Sequence, residues 1–171
     1  GRAGVADGAS VVGGAGVAQA GTLTTYTATG AKTITGTVTA TLGSNPPISC
    51  PITINATAAA NSMSVTSMSM GGLCAIASLN LLPYPVTAPT PTRNAGDPPA
   101  AATTLRIANV DATGPFGIHC AGPLVGSWNN GLSQVTFAGA TLPGVGGSGS
   151  CTFSGTLKMS PNTTIVNSYV P

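Results

Sequence analysis

The sequence predicts an all-β protein: an antiparallel β-sandwich built from two duplicated units, each stapled by a disulfide, with an extended N-terminal strand. Three observations predict this fold. Apolar residues alternate with Thr and other small residues along many short stretches, as in half-buried antiparallel strands. Turn residues separate these stretches, and nothing of helical length shows a 3.6-residue period. One set of landmarks also occurs twice, in residues 50–83 and 120–161.

The spacing of these landmarks defines the duplication. In each unit a Val-Thr pair follows the opening cysteine by 15 residues, at Val65 and at Val135. A glycine-rich stretch then precedes the closing cysteine, and a proline follows that cysteine after 9 residues in one unit and 10 in the other. We therefore expect the two units to superpose, with Val65 matching Val135.

The four cysteines indicate two disulfides. Three pairings can be drawn, and the repeat selects Cys50 with Cys74 and Cys120 with Cys151. Closing loops of this size stabilises the fold by about 3–4 kcal/mol per bridge. Zinc sites use closely spaced cysteines or supporting histidines, so no metal site is expected. Disulfides indicate an oxidising compartment, on an export route to the cell surface or the medium.

The composition excludes some partners. Charged residues are 5% of the chain, against about 25% in typical proteins. Because the charges are scattered, no basic stripe can neutralise phosphates, and nucleic acid is not expected as a partner. No apolar run is long enough to cross a bilayer. A nearly uncharged surface tends to associate, which suggests that another subunit covers it.

Residues 1–20 form a predicted N-terminal extension, and residues 21–171 form the body. The odd positions of the extension make an apolar face of period two, as in a strand with small side chains. The predicted subunit-interface residues are Ala9, Val11, Gly13, Ala15 and Val17. We expect residues 9–18 to add as a β-strand to a groove of the next subunit. Head-to-tail use of one strand and one groove gives an open filament, so the predicted partner is the protein itself.

The first half of the body contains two clear strand patterns. Residues 33–42 alternate Thr with apolar residues, and residues 50–56 repeat that period. The apolar phase switches near Ser67, which predicts a β-bulge. Residues 84–104 are rich in proline and are predicted to be an irregular connection between the two units.

The second half repeats the scheme. Leu105 and Ile107 open it, and the Asn129–Gly131 turn favours a hairpin. Residues 151–159 show the cleanest alternation in the chain, and residues 164–170 are predicted to be a short terminal strand.

Catalytic chemistry is not expected. His119 is the only histidine, and it adjoins Cys120, which the predicted disulfide consumes. A Cys–His nucleophile needs a free thiolate, so His119 is interpreted as a strand residue with satisfied hydrogen bonds. Asp97 lies beside prolines and is interpreted as a turn residue, and Asp111 is expected to cap a strand. We therefore predict no enzyme activity and no cofactor.

Trp128 is the one candidate ligand platform. Beside Asn129 it could stack on a sugar of a surface glycan or on an apolar small molecule, although a Trp at this point in a hairpin also suits the core or a lid. Asn55 and Asn162 begin N-glycosylation patterns, which predict modification only if the host glycosylates its proteins.

The second unit resembles a known family. The segments that carry the resemblance are Gly126–Asn130, Val135–Phe137, Leu142–Gly144, Cys151–Leu157 and Ser160-Pro161. They resemble the small secreted activators of alkane oxidation, the PraB-like proteins, which Gram-negative bacteria export. The resemblance implies no catalytic residues, because the family name describes growth on alkanes and not a reaction.

These observations give two main functional hypotheses. The first is a secreted structural protein that polymerises into an extracellular filament by β-strand addition. The alternative is a secreted accessory protein that binds apolar or surface-active compounds, as the resemblance implies. A carbohydrate-binding or adhesin module is a third reading, carried by Trp128.

Overall fold

The computed structural model describes residues 21–171, and this part of the chain is all-β. Two single turns of 3-10 helix, Gly72–Cys74 and Pro115–Gly117, interrupt its strands. The strands are β1 (Gly21–Thr27), β2 (Gly30–Leu42), β3 (Ile48–Ala58), β4 (Met63–Met70), β5 (Ser78–Leu79), β6 (Tyr84–Thr87), β7 (Ala100–Ala101), β8 (Thr104–Thr113), β9 (His119–Asn129), β10 (Gln134–Leu142), β11 (Cys151–Ser160) and β12 (Thr164–Val170).

Eight of the strands close into an antiparallel barrel. They hydrogen-bond in the order β8-β6-β4-β3-β2-β11-β10-β9, and β9 pairs again with β8 to close the ring. The predicted β-sandwich is thus corrected to a barrel. The period-two pattern could not separate the two folds, because both bury every second residue of a strand.

Glycines on the inner face explain why the sheet can curve enough to close. A Cβ on Gly36 of β2 would lie 2.5 Å from the carbonyl oxygen of Thr156, and one on Gly126 of β9 would lie 2.7 Å from Cγ2 of Val135. Only a residue without a side chain allows such close approach, and inward glycines mark sharp bends in closed sheets.

The structure does not confirm the duplication. Val65 on β4 and Val135 on β10 are both buried on the inner face, each in a hairpin with the strand of its opening cysteine. The closing cysteines differ, however. Cys74 ends a 3-10 turn, whereas Cys151 begins a ten-residue barrel strand.

A second, three-stranded sheet in the order β1-β12-β7 closes one end of the barrel, where β2 begins and β3 ends. We call it the covered end. Asn167 of β12 is fully buried and fastens the sheet there, since its side-chain nitrogen donates to the carbonyls of Ala88 (3.0 Å) and Pro91 (3.1 Å). The hydroxyl of Tyr26 on β1 donates to the carbonyl of Val86.

The Pro-rich connection differs from its prediction, because residues 84–87 form barrel strand β6. Tyr84 and Val86 point into the core, and Pro85 between them points outward. So short a strand is not predicted from the sequence, because the prolines around it indicate irregular structure. Elsewhere the local predictions agree: the β3–β4 ladder shifts register opposite Thr66, beside the predicted bulge, and β9 and β10 form the predicted hairpin. The predicted donor strand, residues 9–18, lies outside the described residues.

Candidate apolar binding site

The interior of the barrel contains an apolar cavity at the end opposite the covered end. We call this the disulfide end, because both disulfides lie there. The cavity has a volume of about 80 Å³. Side chains from seven of the eight barrel strands line it, and among the lining residues only Thr113 has a polar side chain. Lining residues on the barrel wall include Val38, Ile52, Leu124, Phe137 and Leu157.

The disulfides hold the rim of this cavity. Cys50 on β3 bonds to Cys74 in the first 3-10 turn, with a Cα–Cα distance of 5.6 Å, and Cys120 on β9 bonds to Cys151 on β11, with a distance of 6.1 Å. These are the two pairs that the sequence repeat selects. All four cysteines are buried, and the first bridge anchors the turn that forms one wall of the rim.

Exposed apolar side chains surround the rim. Leu73, Ile76, Phe116 and Val145 are 68%, 72%, 61% and 40% exposed. Leu73, Ile76 and Phe116 each directly follow or precede a cavity-lining residue in the chain, and the Val145 amide donates to the carbonyl of His119 at 2.8 Å. We call these four residues the apolar collar. Clustered exposed apolar residues of this kind mark interaction surfaces.

Phe116 shows how the chain presents one collar residue. It lies in the second 3-10 turn with a φ of 65°, which few residues other than glycine adopt. Its neighbour Gly117 is also left-handed, with a φ of 70°. This unusual backbone directs a large aromatic side chain outward beside the cavity. Strained conformations of this kind are retained mainly where function requires them.

The charged side chains of the described residues lie mostly away from the collar. Lys32, Arg93, Asp97, Arg106 and Lys158 belong to strand ends and loops in the half of the molecule near the covered end. The half near the disulfide end carries Asp111 and His119. The described barrel is therefore amphipathic along its axis.

Asp111 and His119 form a pair that sequence analysis missed. Nε2 of His119 lies 2.8 Å from Oδ1 of Asp111, and the Asn80 side chain donates to the same oxygen at 2.9 Å. The Asn80 amide and the His119 ring together lower the pKa of Asp111. The hairpin register could have revealed the pair, because Asp111 and His119 lie near the β8–β9 turn. Ser148 Oγ donates to the His119 carbonyl and not to the His119 ring. The Asp111–His119 pair therefore resembles a structural contact between β8 and β9 more than a catalytic dyad.

Trp128, the predicted ligand platform, does not lie at the surface. It is 5% exposed, and its Nε1 donates to Oδ1 of Asn130 at 2.6 Å. The Asn130 amide in turn donates to the carbonyl of Ile165 at 2.9 Å, which ties the hairpin to the sheet at the covered end. The ring is therefore unavailable for stacking on a sugar at the surface.

Two of the remaining predicted sites, Asn55 and Asn162, do not line the cavity. Asn55 and Asn162 are exposed, and the five predicted interface residues lie outside the described part of the chain. Within residues 21–171, no cluster of His, Cys, Asp and Glu side chains is suited to hold a metal ion. That same part of the chain has no helix of the length and hydropathy needed to span a membrane.

Comparison with known proteins gives one match. The family model described as "Alkane oxidation protein activator PraA/PraB-like" matches residues 3–167, nearly the whole chain. No curated protein matches the chain, and no solved structure does.

Proposed function

The chain belongs to the PraA/PraB-like family of alkane oxidation protein activators, and we propose that it is an exported accessory protein that binds apolar compounds, alkanes in particular, in the cavity at the disulfide end. The observation that carries this proposal is the cavity itself, which is lined almost wholly by apolar side chains and lies beside an exposed apolar collar.

The chemistry of the lining suits an uncharged hydrocarbon. A cavity lined almost wholly by apolar side chains offers water few hydrogen bonds, so it stays dry and takes up apolar molecules instead. At about 80 Å³ the cavity is roughly half the volume of an engineered apolar cavity that binds benzene. It therefore holds a segment of an alkyl chain, and the rest of a long alkane extends through the rim toward the collar.

The collar gives the ligand a route into the cavity. Leu73, Ile76, Phe116 and Val145 expose apolar surface around the rim, while most of the charges lie near the covered end. This arrangement favours contact of the disulfide end with an apolar phase and keeps the charged end in water. The protein then takes hydrocarbon up and carries or presents it, which is an accessory role and not a chemical one.

The filament hypothesis has weaker support. Every strand of the barrel has a neighbour along at least part of both sides, so no strand of the described barrel has a completely free edge for strand addition. Among the described strands of more than two residues, only β1 of the small sheet has a neighbour on one side alone. Deleting residues 1–20 and examining secreted material by negative-stain microscopy tests this alternative, because fibres that require the segment would support it.

Thermal unfolding in water saturated with hexane tests the proposed function. Hexane that binds only the folded protein raises its free energy of unfolding, by about 2.7 kcal/mol at a hexane concentration of 100 Kd. The unfolding temperature rises as a result. Ala40→Leu fills the cavity and should abolish the shift. Ala138→Leu adds the same side chain at an exposed position on β10 and should retain it. No shift for the unmodified protein, or an equal shift for both variants, would refute the proposal.

A further inference from the structure

Lys32 is a charged side chain inside the barrel. It lies on β2 in the same inward phase as Ile34 and is 2% exposed. Within residues 21–171 its Nζ has no hydrogen-bond partner. Burial lowers the pKa of this lysine, because an ammonium group loses its hydration in an apolar interior. A buried cation without a partner is costly, so its presence calls for a counterpart.

The carboxylate side chains of the described residues are engaged elsewhere. Asp97 accepts the amide of Asn94 at 2.9 Å in an exposed loop, and Asp111 is held by Asn80 and His119. The sequence contains no Glu, and its one other Asp is Asp7, outside the described residues. The described part of the chain therefore supplies no anion to Lys32.

Lys32 lies one side-chain layer below the floor of the cavity. Its partner on β3 is Ala56, and Ile54, two residues closer to the disulfide end, lines the cavity. Two residues of a strand span about 6.8 Å, which is comparable to the length of a lysine side chain. An anionic group at the deep end of a bound chain would thus come within reach of the ammonium group.

We infer that the barrel binds a single-chain amphiphile with an anionic head, a long-chain carboxylate, whose head group pairs with Lys32 and whose alkyl chain occupies the cavity. This inference rests on the proposed function and specifies its ligand class. The ion pair would satisfy Lys32 Nζ, the one buried side-chain group without a partner in the described residues. A charge-assisted hydrogen bond would also make a cavity that otherwise selects ligands only by their hydrophobicity selective for anions.

The test compares dodecanoate with its uncharged methyl ester near neutral pH, using Trp128 fluorescence and thermal unfolding to measure affinity. The full chain should bind dodecanoate at least about tenfold more tightly than the ester, the factor expected for one hydrogen-bonded charge. Lys32→Met should lose this preference and keep its affinity for the ester. Lys158→Met removes a half-buried lysine at the covered end, whose Nζ donates to the Leu132 carbonyl and to Oδ1 of Asn162, and should keep the preference.

Different failures have different meanings. An equal affinity of the full chain for the two ligands, or a preference that survives in Lys32→Met, would overturn this inference while leaving the apolar cavity intact. Failure of both ligands to bind would overturn the proposed function as well.

A second readout needs no ligand. Lys32→Met should raise the free energy of unfolding of the empty protein, because it removes a buried group without a partner. A decrease that Asp7→Asn reproduces, and that is not additive in the double variant, would show that Asp7 already pairs with Lys32 and would contradict the inference.

Discussion

Phe116 and Ile118 are two residues apart and face opposite environments: Phe116 is 61% exposed, whereas Ile118 is 7% exposed and lines the cavity. One short turn therefore joins the collar to the interior of the barrel. Leu73 and Cys74 also face opposite environments, so at two turns of the disulfide end an exposed apolar residue directly adjoins cavity-lining residues in the chain.

The collar should mediate adsorption to liquid hydrocarbon. Leu73→Ser should weaken binding to hexadecane droplets by about tenfold or more, because burying a leucine is worth at least about 1.5 kcal/mol. Leu132→Ser is the matched control, since Leu132 is 55% exposed in the turn at the covered end. Sedimentation of droplets with bound protein measures both, and equal losses would show that the collar has no special role.

The inward glycines should be required for closure of the barrel. Gly36→Ala places a Cβ against the carbonyl oxygen of Thr156 and should lower the free energy of unfolding by about 1–3 kcal/mol. Nothing lies within 4 Å of a Cβ added at Gly114, so Gly114→Ala should change stability by less than about 0.5 kcal/mol. Urea denaturation compares the two. A Gly36→Ala variant as stable as the unmodified protein would contradict this account of curvature.

Asp111 should contribute stability that is lost in acid. The Asn80 amide and the His119 ring lower its pKa below the usual value of about 3.9, so its contribution is present above that pH and disappears as the pH falls through the lowered pKa. The difference in free energy of unfolding between the unmodified protein and Asp111→Asn should therefore be fully present above about pH 5 and shrink below about pH 4. A difference that is constant across this range would show that the pairing does not contribute to stability.

The bridge between Cys50 and Cys74 should hold the rim of the cavity as well as the fold. Replacing both cysteines by Ala should cost about 3–4 kcal/mol, from the entropy of the opened loop. Because the first 3-10 turn forms part of the rim, hexane affinity should also fall. Replacing Cys120 and Cys151 gives a loop of similar size for comparison in the same unfolding and binding assays.

Local features of the fold could be predicted from the sequence, and its closure could not. Alternation along β2 and β11, the β9–β10 hairpin and the terminal strand β12 are all encoded in short stretches of sequence. The pairing of β8 with β9 that completes the barrel depends on curvature of the sheet. The close approach of strands at Gly36 and Gly126 permits this curvature, and the alternation of apolar and polar residues does not predict it.

The candidate site was hidden for a similar reason. A cavity is the space left between side chains of many strands, so no sequence motif predicts it. Two signals were nevertheless present: apolar residues such as Leu73 and Phe116 in glycine-flanked turns, and Lys32 in the inward phase of a strand pattern that continues through Ile34. Both conflict with their local context, and such conflicts often mark functional positions.

Intermolecular NOEs between hexane and the methyl groups of the protein test the central claim most directly. In a sample equilibrated with hexane, we expect NOEs from the ligand to cavity methyls such as those of Val38, Ile52 and Leu124. Exposed Leu132 at the covered end should show none. NOEs confined to surface methyls, or their absence from all the cavity residues, would contradict the proposal that the barrel interior binds hydrocarbon.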